Sequence, residues 1–197
     1  SPVHAKSGRV VIAGSEAGHL VAADSRSGKE LWRFKTHGKI RGAATVSGKD
    51  VYFGATDGKL YRVAVDTGEL SWKAPYETQG AITSAPAIGS GLVVFQNNQN
   101  RTYAVDWKTG EYKWDTGRSR PEFLTIKGEG GATIKDGFVY AGYEDGFLTA
   151  VRAKDGATLW SKNLSGSESQ FVDVDTRPVV LDDTVFAASF NVGLYAV

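Results

Sequence analysis

A chain of 197 residues is long enough for a sizeable core, and 23 Lys plus Arg against 22 Asp plus Glu leave a net charge of +1, so no long-range field would hold it on nucleic acid or an anionic membrane. The absence of cysteine excludes disulfide frameworks, thiol catalysis and cysteine zinc sites. No apolar run approaches the roughly 18 residues of a membrane span, and Ser1-Pro2-Val3 opens neither a basic n-region nor an apolar h-region, so a soluble chain with any export signal removed is expected.

Along the chain, short apolar runs alternate with clusters of Gly, Asp, Asn, Ser and Thr, which suits many short strands joined by tight turns. Strands are expected at Val10 to Gly14, Val51 to Gly54, Leu92 to Gln96 and Val139 to Gly142, each followed four residues later by a turn residue: Gly18, Gly58, Asn100 and Gly146. Ten residues after each of these stands another glycine with a tryptophan four further on, in the pairs Gly28 and Trp32, Gly68 and Trp72, Gly110 and Trp114, Gly156 and Trp160. A fifth unit begins near Thr176 with Val185-Phe186-Ala187-Ala188 and Leu194-Tyr195-Ala196-Val197; it carries Val192 at the turn position, with Gly193 following, so an altered turn is expected there.

The tryptophan spacings of 40, 42 and 46 and about four strands per unit match a β-propeller blade rather than a helical or leucine-rich repeat. The reading is all-β: a propeller with four-stranded antiparallel blades, four complete (about 1–41, 42–83, 84–129 and 130–175) plus a partial fifth (176–197), part of an eight-bladed ring or an open arc completed by another chain. Runs such as Leu20-Val21-Ala22-Ala23 and Phe147 to Val151 suit strands buried on both faces between stacked blades. Each repeated Trp is expected to stack over the neighbouring blade, whereas Trp107 breaks the period and is expected on a loop or surface. Exposed blade edges make self-association an expected behaviour.

The cassette Gly-x-Leu-x-Ala-x-Asp-x2-Thr-Gly-x3-Trp, best kept in Gly58 to Trp72 and Arg101 to Trp114, resembles the repeat of the pyrroloquinoline-quinone-type propellers over the whole chain. That group holds quinoprotein dehydrogenases and cofactor-free scaffolds. A dehydrogenase would bring a quinone, a calcium ion and an adjacent cysteine pair. The chain has no cysteine, and the acidic candidates Glu168, Asp173, Asp175, Asp182 and Asp183 form no calcium constellation that spacing can fix. The expectation is therefore a non-enzymatic protein without cofactor, metal or small-molecule substrate.

Two further segments, Leu124 to Glu129 and Asp173 to Val180, resemble the BamB family, scaffold propellers of the machinery that assembles β-barrels in the bacterial outer membrane. The resemblance implies a periplasmic, outer-membrane-associated protein that binds the POTRA domains of a BamA-like subunit. It makes Leu124, Ile126, Lys127 and Glu129, with Asp173 and Asp175, the partner-binding set. Lys127 stands where the family usually has Arg, which keeps the charge but loses the bidentate fork; Gly130-Gly131 replaces a small residue and a proline position; and the family's lipid-bearing cysteine is absent from the chain.

The residues themselves point to the same two connections, because these are the longest between repeats, and insertions in repeat folds collect on one face that is often the binding face. They offer apolar anchors, Phe123, Leu124, Ile126 and Phe171, amid charges of both signs, the makeup of an apolar centre with a charged rim. An alternative is that Leu124 and Ile126 turn inward while Asp173 and Asp175 satisfy backbone amides. Elsewhere, His4, His19 and His37 lack metal-ligand spacing, Ser15, Ser47 and Ser90 sit in turns with no base in view, and Gly128 to Gly131 leads into a strand without a phosphate-loop Lys.

Overall fold

A computed structural model describes residues 1–120, 130–165, 173–174, 176–189 and 193–197. Among the described residues it holds nineteen strands and no helix. The first sheet runs β1 (Val3–Ala5), β2 (Val10–Gly14), β3 (His19–Asp24), β4 (Glu30–Lys35), and the second β5 (Thr45–Ser47), β6 (Asp50–Gly54), β7 (Lys59–Ala64), β8 (Tyr76–Glu77). The third is β9 (Ala87–Gly89), β10 (Leu92–Asn97), β11 (Arg101–Asp106), β12 (Tyr112–Gly117), and the fourth β13 (Thr133–Lys135), β14 (Phe138–Gly142), β15 (Phe147–Arg152), β16 (Thr158–Asn163). The fifth has three strands, β17 (Val179–Leu181), β18 (Thr184–Ser189) and β19 (Gly193–Ala196). Every pairing is antiparallel between sequence neighbours. The first strands β1, β5, β9, β13 and β17 touch in succession, so they line the axis of an arc of blades and the tryptophan strands lie at its rim.

The cassette explains each blade's geometry. Gly18, Gly58 and Gly146 have φ of 74°, 80° and 81°, and Asn100 replaces glycine at φ 60°, which Asn tolerates better than other side chains. Between the third and fourth strands, the amides of Gly28, Gly68, Gly110 and Gly156 bond to the carbonyls four residues back, on Asp24, Ala64, Asp106 and Arg152. The Asp24 and Asp106 carboxylates accept the amides of the same turns, and those donors, Ser27 and Thr109 foremost, hold both below the usual carboxylate range. The turn glycine then receives the neighbouring blade. An added Cβ on Gly68, Gly110 or Gly156 would fall 2.6, 2.9 or 2.8 Å from the indole of Trp32, Trp72 or Trp114. Each indole nitrogen donates to the carbonyl three residues before that glycine: Val65 at 2.8 Å, Trp107 at 3.2 Å and Ala153 at 2.7 Å.

The cores lie between blades. Trp32, Phe53 and Tyr61 share one cluster and Trp72, Tyr52 and Phe95 the next, while Trp114 packs with Val139 and Val151, and Leu148 with Val185. The first two interfaces carry matching aromatic trios, Phe34 edge-on to the stacked pair Phe53 and Tyr61, and Tyr76 edge-on to Phe95, itself stacked on Tyr103. Strands β6, β10 and β15 are buried on both faces, whereas β3 of the first blade alternates buried with half-buried residues, since one face of that blade has no described neighbour. Trp107 lies in a turn, as its break from the period implies, but it is half-buried against the second interface, and its carbonyl takes the Tyr52 hydroxyl and Arg62 guanidinium besides the Trp72 indole. Val192 lies outside the described residues; Gly193 beside it has φ 109°.

Trp72→Ala is expected to cost about 3–5 kcal/mol, and Gly110→Ala more than about 1 kcal/mol because φ is 77° there and the indole leaves no room for a methyl. Urea unfolding reads both; equal midpoints for variants and wild type would remove the lock as the source of cohesion. Asp50 accepts from Arg62 and Ser71; burial opposes its ionisation, but these donors outweigh it and lower its pKa. A folded pKa below the unfolded value of about 3.9 means this stabilisation is present above about pH 4 and fades as pH falls further. Thermal melts from pH 7 to pH 3 should show Asp50→Asn about 1–3 kcal/mol less stable at pH 7 and less sensitive to acid. An unchanged melting temperature at pH 7 would count against this pair.

Candidate docking face

One face of the arc gathers the turns after the second strands and described residues of the blade-to-blade connections, Arg41, Ala81, Gly130 and Asp173 among them. Two of these connections, 36–44 and 78–86, have nine residues and two, 118–132 and 164–178, have fifteen. Thr36 and Thr78 start the short ones, each hydroxyl within hydrogen-bond distance of two carbonyls, Gly18 and Gly38 or Gly58 and Gly80, to one of which it donates. Their ends are pinned when Ile40 and Ile82 lie over Gly14 and Gly54, where an added Cβ would come within 2.3 and 2.1 Å of the isoleucine methyl, and donate their amides to Ser15 and Ala55. Val174 repeats this anchor on Gly142 and Tyr143. The residue before it is Asp173, whose position is therefore set by the blade beneath.

Arg118 takes the place of the threonine at the start of the first long connection. Its amide keeps the bond to Asn100, but its guanidinium crosses to the fourth blade, where it pairs with Asp145 and lies 3.7 Å over the Phe147 ring. The third blade departs from the cassette at two more places on this face. Gln96 replaces the glycine of Gly14, Gly54 and Gly142 and donates to the Gly142 carbonyl at 2.9 Å. Asn100 receives the Glu144 amide at 3.0 Å and donates to Ser119 at 3.3 Å. Gln96 and Asn100 line a polar cleft of about 190 Å³ whose walls also include Ser84, Asn97, Glu144 and Asp173. Gly130 and Asp173, described residues near the ends of the two long connections, both line it.

Among the expected binding residues, Leu124, Ile126, Lys127, Glu129 and Asp175 lie outside the described residues, as do Phe123, Phe171 and Glu168. Asp173 is described and is only 1 % exposed, so its carboxylate belongs to the wall of the cleft and not to an open charged rim. Among the described residues no three His, Asp or Glu side chains cluster to hold a metal ion. Sequence reasoning passed over Gln96, Asn97, Asn100 and Glu144. The signal was present in the repeat itself, since Gln96 and Asn100 break glycine positions that the other complete blades keep.

The fold defines a class: a β-propeller of quinoprotein-type repeats. The chain belongs to the BamB family, since the model of outer membrane protein assembly factor BamB matches residues 17–197. Outer membrane protein assembly factor BamB of Escherichia coli (strain K12) is 38% identical over 202 residues, covering 95% of this chain and 51% of that protein. The counterpart from Shewanella oneidensis is 25% identical over 90% of this chain and 35% of its own length. The chain thus spans about half the length of the Escherichia coli relative. The crystal structure of BamB from Moraxella catarrhalis superposes with a TM-score of 0.87 at 21% identity, covering all of this chain and 60% of that one. A quinohemoprotein alcohol dehydrogenase from Pseudomonas putida shares the fold, with a TM-score of 0.78 at 17% identity over 39% of its chain.

Arg118→Ala removes the partner of Asp145, whose other carboxylate oxygen is buried without a hydrogen bond, together with the ring contact. A loss of about 1–3 kcal/mol in urea unfolding is expected; a loss below about 0.5 kcal/mol would mean that the pair behaves as an ordinary surface ion pair.

Proposed function

We propose that this chain is a non-catalytic segment of a periplasmic scaffold in the outer-membrane β-barrel assembly machinery, and that it docks the POTRA domains of a BamA-like subunit through the face just described. The observation that supports this most directly is that both fifteen-residue connections run to one cleft, with Gly130 and Asp173 among its walls. They carry the segments Leu124 to Glu129 and Asp173 to Val180 that resemble the family's partner-binding stretches. Leu124 and Ile126 supply apolar burial, Lys127, Glu129 and Asp175 orient the partner by charge, and buried Asp173 acts from within the cleft wall. Work of this kind needs no reacting group, and the chain lacks the adjacent cysteines that a quinoprotein dehydrogenase would carry.

The test is calorimetric titration of the chain with the soluble periplasmic domains of the BamA-like subunit from the same organism. Saturable binding is expected, weakened at least about tenfold in a Leu124→Ala, Lys127→Glu variant that keeps the wild-type circular dichroism, in line with the loss of about 1.4 kcal/mol or more of interface energy. Undiminished binding by that variant would refute the assignment of the surface, and no binding by folded wild type would refute the docking reading for this segment.

A further inference from the structure

Both long connections are tied to one turn of the fourth blade. This turn, Tyr143 to Gly146, joins β14 to β15 and is closed by the Gly146 amide on the Tyr143 carbonyl. At the equivalent turn of the second blade, the side chains of Asp57 and Thr56 accept backbone amides of the short connection, those of His37 and Lys39. At the fourth blade the ties pass to side chains of the connection. Asp145 pairs with Arg118, and Glu144 with Arg120 at 3.7 Å. Asn100, from the third blade, accepts the Glu144 amide at 3.0 Å and donates to the Ser119 carbonyl at 3.3 Å. Each of the first three residues of the connection 118–132 is thus held to this turn, Ser119 by way of Asn100. The connection 164–178 meets the same turn twice: the Leu164 amide donates to Gly146 at 2.8 Å, and the Val174 amide donates to Tyr143 at 3.2 Å.

We infer that Asn100, Glu144 and Asp145 are positioning residues for partner docking, which fix where the first long connection leaves the third blade relative to the anchors of the second. They act through the connections and not by contact with the partner, and the inference rests on the docking reading. The Asp145 and Arg118 side chains are 19% and 28% exposed, shielded enough to hold a geometry that an open surface pair does not. Glu144 is 16% exposed but its partner Arg120 is half-exposed, so that pair is the weaker tie. A fifteen-residue connection without such ties would have to be ordered by the partner, at a cost in affinity. The departures from the repeat fall where the ties are made: Asn100 stands where the other complete units have Gly18, Gly58 and Gly146, and Arg118 where the first two have Thr36 and Thr78.

Two variants test this. Asn100→Gly restores the residue of the repeat and suits the φ of 60° at this turn, so it removes the bridge without straining the backbone. Asp145→Asn removes the charge that holds Arg118 and nearly keeps the shape. Each is titrated calorimetrically with the soluble periplasmic domains of the BamA-like subunit, in the wild-type chain and in the Leu124→Ala, Lys127→Glu chain, after circular dichroism shows the fold intact; Asn100→Gly alone decides if Asp145→Asn does not fold. Affinity is expected to fall at least about fivefold in the wild-type chain and less than about twofold in the other, because a residue acting through the connection loses its effect once the docking side chains are gone. Equal losses in the two chains would mean direct contact or general destabilisation, and undiminished affinity would mean no positioning; either overturns the inference and leaves the docking reading standing. Absence of binding by the folded wild type overturns both.

Discussion

The indole of one blade resting on the turn glycine of the next is the contact on which the arc depends. A four-stranded sheet of this size is marginal alone, because both of its faces need covering. The lock covers them in a fixed register. The glycine is required twice, since the turn needs positive φ and the ring occupies the space of a Cβ. The hydrogen bond from the indole nitrogen to a carbonyl three residues upstream then fixes how far one blade slides along the next. Gly28 has the same turn with nothing within 4 Å of an added Cβ, and Trp160, at the far end of the series, is half-buried against Tyr140. Both ends of the arc thus carry half of the same contact.

Regularity at the rim leaves the other face free to vary. The locks hold the blades from outside, so the connections near the axis need only meet the anchors of Ile40, Ile82 and Val174 on the glycines beneath them. Two of the four connections are six residues longer than the others. The third blade uses this freedom most. Gln96, Asn100 and Arg118 each replace a repeat residue, and all three cross to the fourth blade, by hydrogen bonds to Gly142 and Glu144 and an ion pair to Asp145. This interface exchanges the aromatic trio of its predecessors for polar ties, including the Thr102 and Tyr143 hydroxyl pair at 3.0 Å.

Membership of the BamB family, a shared fold with a quinohemoprotein dehydrogenase and the polar cleft form one picture of a scaffold reused by changing what lies at one side. The blades supply rigidity, and the irregular connections supply chemistry.

The all-β class, the blade period, the turn positions and the role of the repeated tryptophans were legible in the sequence, because each follows from local spacing: a glycine for positive φ, alternation for a strand, a large ring at a constant offset from a glycine. The half-buried packing of Trp107 was not, since its burial is set by Tyr52, Arg62 and Trp72, all at least 35 residues away in the chain. Asp173 shows the same division. Its motif marked it as a charge near a partner surface, but whether a carboxylate faces solvent depends on the blade below, and Val174 locked over Gly142 turns Asp173 into the wall of a cleft. The sequence by itself determined what repeats and where the repeat is broken; which positions meet, the broken Gln96 and Asn100 of the third unit with Glu144 and Asp173 of the fourth, was decided only by the curvature that the tertiary contacts impose.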